Sequence, residues 1–219
     1  WARWLKILLG VVTVWSLAAF VIMRLVLNFN APMALPAERF LANGAGRVID
    51  LGCGSGRGTL MVAQARPQVK LVAFDRFASG YGIEGNTPAR LKANLEAAGL
   101  AQRVEIQSGD MRELPFPDNS FQGAVSTYAM DHLGRTGFRK AVSETARVLE
   151  PGGQFLFLTI DRDLYVKIAF PLLHGGYFGP STALPRWQGL LEENGRLEVV
   201  EHGRTPGTLW ILCRKKQAQ

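Results

Sequence analysis

The sequence predicts an α/β fold: a seven-stranded, mostly parallel sheet with helices on both faces, preceded by one helix apolar enough to span a membrane. Three observations predict it. Residues 48–51, Val-Ile-Asp-Leu, run as an apolar strand into Gly52-Cys53-Gly54-Ser55-Gly56, a turn that opens a helix. A second apolar run, Leu71-Val72-Ala73-Phe74, ends on Asp75, and runs of this kind alternate with helix-length segments to the C-terminus. Residues 7–23 carry no charged side chain.

With residues 25–27 included, that first segment has about 21 apolar positions, close to the roughly 30 Å of a hydrocarbon core. Lys6 and Arg24 lie near its ends, where long side chains snorkel, and Trp1 and Trp4 suit an interfacial belt. A cleaved signal peptide and a buried core helix are the competing readings. Residues 1–29 are therefore expected as a transmembrane helix and 30–46, with Pro32, Pro36, Asn43-Gly44 and Gly46, as a linker with a short helix leading into a domain at 47–216. The chain starts at Trp1 rather than Met, so its 219 residues are a lower bound on the natural length.

Within the domain, strands are expected at 47–51, 69–74, 103–107, 121–127, 153–160, 196–202 and 207–213. Helices are expected near 56–66, 88–99, 137–149 and 183–194, the second capped by Asn86 or Thr87 with Pro88 in its first turn. Gly203 and Pro206-Gly207 separate the last two strands by a short reversal, which makes the final pairing antiparallel. Residues 161–187 fit no core element. They are strongly apolar and aromatic for a connection, so they line an acceptor site, rest on lipid or pack over the core.

The glycine turn defines a ligand class. No Lys follows the glycines, which excludes a P-loop, and Arg57 stands where a dinucleotide fingerprint needs its third glycine. Asp50, two residues before the first glycine, would repel a pyrophosphate but suits a cationic or amine-bearing ligand. Asp75, about 20 positions on, can accept hydrogen bonds from ribose hydroxyls. S-adenosylmethionine fits, having a sulfonium, an amine and a carboxylate but no phosphate.

Further motifs carry a resemblance. Ser108-Gly109-Asp110-Met111, Leu114-Pro115-Phe116 with Asp118-Asn119-Ser120-Phe121, the segment from Ser126 to His132, and Arg147-Val148-Leu149-Glu150-Pro151-Gly152-Gly153 follow in the order of the class I S-adenosylmethionine-dependent methyltransferases, which the chain resembles over roughly residues 40–215. The resemblance implies a Rossmann-like sheet and a cofactor site of Asp50, Gly52, Cys53, Gly54, Gly56, Asp75, Arg76, Asp110, Met111 and Ser126. Gly52, Gly54 and Gly56 would wrap the methionine part, Asp75 the ribose diol, and Asp110 with Met111 the adenine. Cys53 reads first as a small residue at a tight turn. If the acceptor must lose a proton, His132 beside Asp131 is the first candidate base, although a structural histidine is the alternative; Tyr128 and His174 come next, and Tyr81 only if its loop closes. Two departures stand out. Gln122 replaces the family's usual Asp, and the connection 76–85 is long, either a lid or a surface excursion.

Two cysteines without C-x-x-C spacing exclude a disulfide framework, and three scattered histidines give no metal site. The net charge of +7 suits an anionic membrane surface, and nucleic acid is not an expected partner because no added binding module or base-flipping motif is visible. The leading expectation is a membrane-anchored methyltransferase, single-pass in the inner membrane and facing the cytoplasm, whose partners are the lipid bilayer and a small lipophilic acceptor. The competing expectation is a methyltransferase-like structural or assembly subunit of a membrane complex.

Overall fold

A computed structural model describes residues 2–28, 31–78, 85–171 and 184–217. Among them, β1 (Ala45–Leu51), β2 (Gln68–Asp75), β3 (Val104–Ser108), β4 (Phe121–Thr127), β5 (Leu149–Ile160), β6 (Leu197–Thr205) and β7 (Thr208–Lys215) form one sheet in the order β3-β2-β1-β4-β5-β7-β6. The pairs β1–β2, β1–β4, β2–β3 and β4–β5 are parallel, and β7 is antiparallel to both β5 and β6. The reversal works because Gly207, at φ 72°, takes the left-handed position of the tight turn. This is the expected sheet, with its expected antiparallel end.

Helices cover both faces: α2 (Arg57–Ala65), α3 (Pro88–Ala97), α4 (Gly134–Val148), the short α5 (Leu164–Ala169) and α6 (Leu184–Glu192), after the N-terminal α1 (Ala2–Val21). Because both faces of the central strands are buried, β1, β4 and the second half of β5 are largely apolar and successive residues feed opposite cores, while the edge strands β3 and β6 are more polar and partly exposed. Ile49, Leu51, Phe155 and Phe157 pack with Phe138 of α4 and Trp187 and Leu191 of α6. Val48, Leu156 and Leu158 pack with Met61 and Val62 of α2 and Leu91 and Leu95 of α3.

Three local differences from the expected elements have physical causes. Among the described residues of the connection, 31–44, there is no helix. Residues 38–43 make turns, because Leu41 (φ 46°) and Gly44 (φ 74°) are left-handed and the Phe40 and Gly44 N–H groups bond three residues back. The same segment belongs to the core: Ala37 and Phe40 are fully buried, and the Arg66 Nε donates to the Phe40 carbonyl at 2.8 Å. β5 starts at Leu149, four residues early, because Phe121 pairs with Leu149 before a bulge absorbs the Pro-Gly-Gly stretch and pairing resumes at Gly123 with Gln154. Finally, α5 was not expected. Asp163 caps it, its Oδ1 accepting from the Val166 N–H at 2.9 Å while its Oδ2 accepts from the Gly207 N–H at 2.8 Å. Thr87, one of the two expected caps of α3, accepts from the Arg90 N–H at 3.2 Å with Pro88 following.

The N-terminal helix stands apart from both cores. α1 continues as a π-helical segment, Ile22–Leu27, and the whole stretch Ala2–Leu27 is 26 residues with a mean hydropathy of 2.3 in its most apolar window, none of which is buried. A buried core helix is thereby excluded. Length and composition suffice to cross a bilayer, and a leader sequence would share them. It meets the domain at two levels: Leu27, at its end, is buried against the Gly207 turn, and Trp15, further up the helix, donates its Nε1–H to the Ile168 carbonyl of α5 at 3.0 Å.

Candidate active site

β1 delivers the glycine turn to the carboxyl edge of the sheet, between β2 and β4, where the strand order reverses and the flanking connections diverge to leave a crevice. The turn is tied to the second strand. Gly52 N–H donates to the Phe74 carbonyl at 2.8 Å, and Gly54 N–H donates to Asp75 Oδ2 at 2.9 Å. Asp75 Oδ1 accepts from the Phe77 N–H at 2.6 Å, which fixes the carboxylate at the strand end with acceptor capacity left on both oxygens. Gly52 has no substitute here: at φ 79°, a Cβ would lie 2.3 Å from that of Ala129.

A cavity of about 950 Å³ opens above this turn. Of the expected residues, Gly52, Cys53, Gly54, Asp75, Arg76, Asp110, Met111, Tyr128 and His132 line it. Asp50, Gly56, Ser126 and Asp131 do not. Gly56 instead takes φ 101° immediately before α2, so it shapes the turn from outside. Ser126 is fully buried, its Oγ donating to the Leu51 carbonyl at 2.9 Å and accepting from the Met130 N–H at 3.3 Å. The next residue, Thr127, lines the cavity in its place, since neighbouring strand residues face opposite sides. Asp131 points into the core, where its Oδ2 accepts from Thr159 Oγ at 2.6 Å; burial raises its pKa, against the Thr159 bond and the charge of His132. His132 itself sits on a 3₁₀ turn, Met130–Leu133, facing the cavity. Tyr81 and His174 lie outside the described residues.

Two carboxylates of the expected set are held in contrasting environments. Asp110 is held in a fork by Arg112, with Nε to Oδ1 at 2.9 Å and Nη2 to Oδ2 at 2.5 Å, and Arg76 approaches to 4.0 Å. The Arg112 hydrogen bonds hold its carboxyl down to about 2. Asp110 and Met111 both line the cavity, side by side after β3. Asp50 is fully buried behind the turn, accepting from Thr59 Oγ at 2.6 Å. Burial pushes its carboxyl up to about 7, opposed by the Thr59 hydrogen bond and assisted by the negative charge of Asp75. Burial also pushes the Cys53 thiol up, which disfavours the reactive thiolate.

Several lining residues were not singled out in the sequence. Arg57 lies over the Tyr128 ring at 5.6 Å, and Tyr128, left-handed at φ 51°, hydrogen-bonds Thr208 through its hydroxyl. Burial raises the Tyr128 pKa, opposed by the Thr208 hydrogen bond and the charge of Arg57. Ala31 and Pro32 also form part of the wall. The only available signal for them was distance along the chain, which says nothing about a fold-back. Gln122 lies away from the cavity, where its Oε1 accepts from the Arg47 N–H at 2.6 Å and its Nε2 bonds Glu150, joining the lower ends of β1, β4 and β5.

Residues 48–153 match a protein family described as a methyltransferase domain. A demethylmenaquinone methyltransferase of Symbiobacterium thermophilum is 32% identical over 154 residues, covering 70% of this chain and 56% of the relative. A sterol 24-C-methyltransferase of Gibberella zeae is 32% identical over 123 residues, covering 54% of this chain and 30% of the relative. The chain thus spans about half or less of the length of these relatives. Among solved structures, an O-methyltransferase family 2 protein of Planctomyces limnophilus shares the fold with a TM-score of 0.63 at 22% identity, covering 84% of this chain and 54% of that one. The chain carries a methyltransferase domain of the class I S-adenosylmethionine-dependent family, with its Rossmann-like sheet.

The residues present fit that family's cofactor. Asp50 Oδ1 and Thr127 Oγ are buried without a hydrogen-bond partner among the described residues, beside a glycine turn whose Cβ positions are filled by neighbours. A cation near Asp50 would stabilise the ionised carboxylate that burial disfavours. The cavity is at the upper end of the roughly 300–1,000 Å³ typical of small-molecule sites, which leaves room beside a cofactor for an acceptor.

Proposed function

We propose that the protein is a membrane-tethered methyltransferase that transfers the methyl group of S-adenosylmethionine to a small lipophilic acceptor. One observation carries this reading: Ala31 and Pro32, four and five residues beyond the end of the apolar helix at Leu27, are part of the cavity wall. A site whose wall is the continuation of a membrane helix lies at the bilayer surface, where lipophilic molecules are concentrated. The names of the two relatives, for a demethylmenaquinone and a sterol methyltransferase, support the same acceptor class. In this reading residues 1–29 are the anchor, 30–46 the connection and 47–216 the catalytic domain, facing the cytoplasm.

When bound, the cofactor supplies a methyl group already activated by its sulfonium. The chain's work is then positioning, which is worth up to about 7–11 kcal/mol in favourable intramolecular systems. The backbone of Gly52, Cys53 and Gly54 receives the amino-acid end, with the Asp50 carboxylate behind it. Asp75 holds the ribose hydroxyls, and Met111 flanks the base. His132, on the cavity wall, accepts the proton that an acidic acceptor loses, and Asp131 holds the turn that carries it. The Arg57–Tyr128 stack closes the side toward β7.

Incubating the full chain in vesicles with methyl-labelled cofactor, then separating lipid-soluble from water-soluble products, tests the proposal. Label in the lipid fraction is expected. Label only in water-soluble products overturns the acceptor class, and absence of cofactor binding by calorimetry overturns the enzymatic reading in favour of an assembly subunit.

A further inference from the structure

The level at which the domain touches its N-terminal helix has a geometric consequence. Trp15, well inside α1, donates its indole N–H to the Ile168 carbonyl at 3.0 Å, so α5 lies alongside the middle of the apolar stretch and not at its end. Arg24, exposed and charged, marks the aqueous side of that stretch. Trp15 is about 13 Å further along the helix axis, at ~1.5 Å per residue. One leaflet of hydrocarbon is roughly 15 Å deep, half of the ~30 Å core. If the helix crosses the bilayer with Arg24 at the headgroups, α5 cannot remain in water.

α5 is built for that position. Leu164 is 68% exposed and Tyr165 41%, although both are large and apolar in body, while Val166 alone is buried, against the Gly207 turn. The α1 residues Val11, Val12, Val14 and Leu17 are exposed in the same way, so apolar side chains are uncovered on both helices that meet at the Trp15–Ile168 bond. The charges suit an interface. Asp163 is consumed by capping α5 and by the Gly207 N–H, and Asp161 pairs with Arg204 at 2.8 Å, while Lys167 is exposed and carries its charge on a long apolar stem that can snorkel toward the aqueous side. The carbonyl of Ile168, which a short helix would expose, is satisfied by the Trp15 indole, as hydrocarbon requires.

We infer that α5 is a second membrane-contacting element: it sinks beside α1 into the leaflet nearest the domain, so that the methyltransferase domain is partly embedded rather than suspended above the lipid on a tether. This rests on the proposed anchoring of α1 and adds depth and a second contact to it. The occupant of the surface is the acyl region of a phospholipid leaflet.

The test uses the full chain with one added cysteine at a time, labelled with an environment-sensitive fluorophore, in phosphatidylethanolamine–phosphatidylglycerol vesicles carrying acyl-chain spin labels. The native Cys53 and Cys213 are buried, and the unsubstituted protein measures their background. Leu8→Cys reports on α1, Leu164→Cys on α5, and Gln102→Cys on the far edge of the sheet. Quenching by acyl-chain labels at both Leu8→Cys and Leu164→Cys, with Gln102→Cys quenched only by aqueous iodide, is the expected result. Leu8→Cys in lipid with Leu164→Cys in water overturns the embedding and leaves the anchor standing. Leu8→Cys in water overturns the anchor itself. A Leu164→Cys label shielded from both quenchers means that another protein surface covers α5, which also overturns the inference.

Discussion

At the scale of single residues, Gly52 and Asp50 carry the sharpest expectations. A Gly52→Ala substitution combines a left-handed backbone, costing roughly 1–2 kcal/mol for a residue with a Cβ, with a 2.3 Å approach to Ala129. Calorimetry should show cofactor binding abolished in a chain that still folds; unchanged affinity would remove the turn from the site. Asp50, with its carboxyl near 7 in the folded chain against 3.8 otherwise, makes stability pH-dependent. Between those values the folded state holds a proton that the unfolded state has lost, so stability falls as pH rises through the window and levels off above it. The full penalty is on the order of 4 kcal/mol. Asp131, also raised by burial, acts with the same sign. The Tm of the ligand-free protein should therefore drop between about pH 5 and 7.5, and Asp50→Asn should flatten much of that slope. Stabilisation by the cationic cofactor should grow over the same range, and a pH-independent shift would separate Asp50 from the ligand. The sequence made the type of these residues plain but not their facing. Ser126 and Thr127 are both small hydroxyl residues at the end of β4, and only the pleat decides that Thr127 lines the cavity.

Elements were legible where their period is long and their punctuation strong. β1 and β2 announce themselves as apolar runs ended by glycine or aspartate, and α3 by Thr87-Pro88. α5 was not legible, because six residues that are apolar on nearly every side give no helical stripe to read. The turns at 38–43 were missed for the opposite reason: two left-handed residues break a segment whose composition suits a helix. The connection from Met111 to Phe121 has no regular structure, and one side chain organises it. Arg147 of α4 donates to the Leu114 and Phe116 carbonyls at 2.9 and 2.8 Å and to Asp118 at 2.8 Å, while Glu144 accepts from both Arg147 and the Leu114 N–H. Replacing Arg147 with alanine strands those carbonyls, at about 1–3 kcal/mol for each partly buried group left unmade. Chemical denaturation should show a loss of at least that size, and cofactor affinity should fall with it because Met111 hangs from the same connection. A neutral substitution would mean that Leu114, Phe116 and Phe121 hold the connection by packing alone.

For the whole molecule, charge and apolar surface point in one direction. A net charge of +7 and an uncovered helix of 26 residues should give stronger association with vesicles rich in anionic lipid than with zwitterionic ones, at about 1 kcal/mol for each basic residue near the surface. Raising the salt should weaken the difference between the two lipids without releasing the protein, since screening acts on charge and leaves apolar burial intact. Sedimentation with vesicles measures both; full release by salt would mean that the helix does not enter lipid.

The turn at Gly207 concentrates several of these threads. Its N–H donates to Asp163 and its carbonyl accepts from the Asp161 N–H, its bare α-carbon admits Leu27, and the next residue, Thr208, bonds Tyr128 above the cavity. A pull on the N-terminal rod therefore arrives at the aromatic wall of the reaction chamber through two residues. For an enzyme seated as proposed, bilayer thickness and curvature become mechanical inputs to turnover, and the membrane acts as a lever as well as an address.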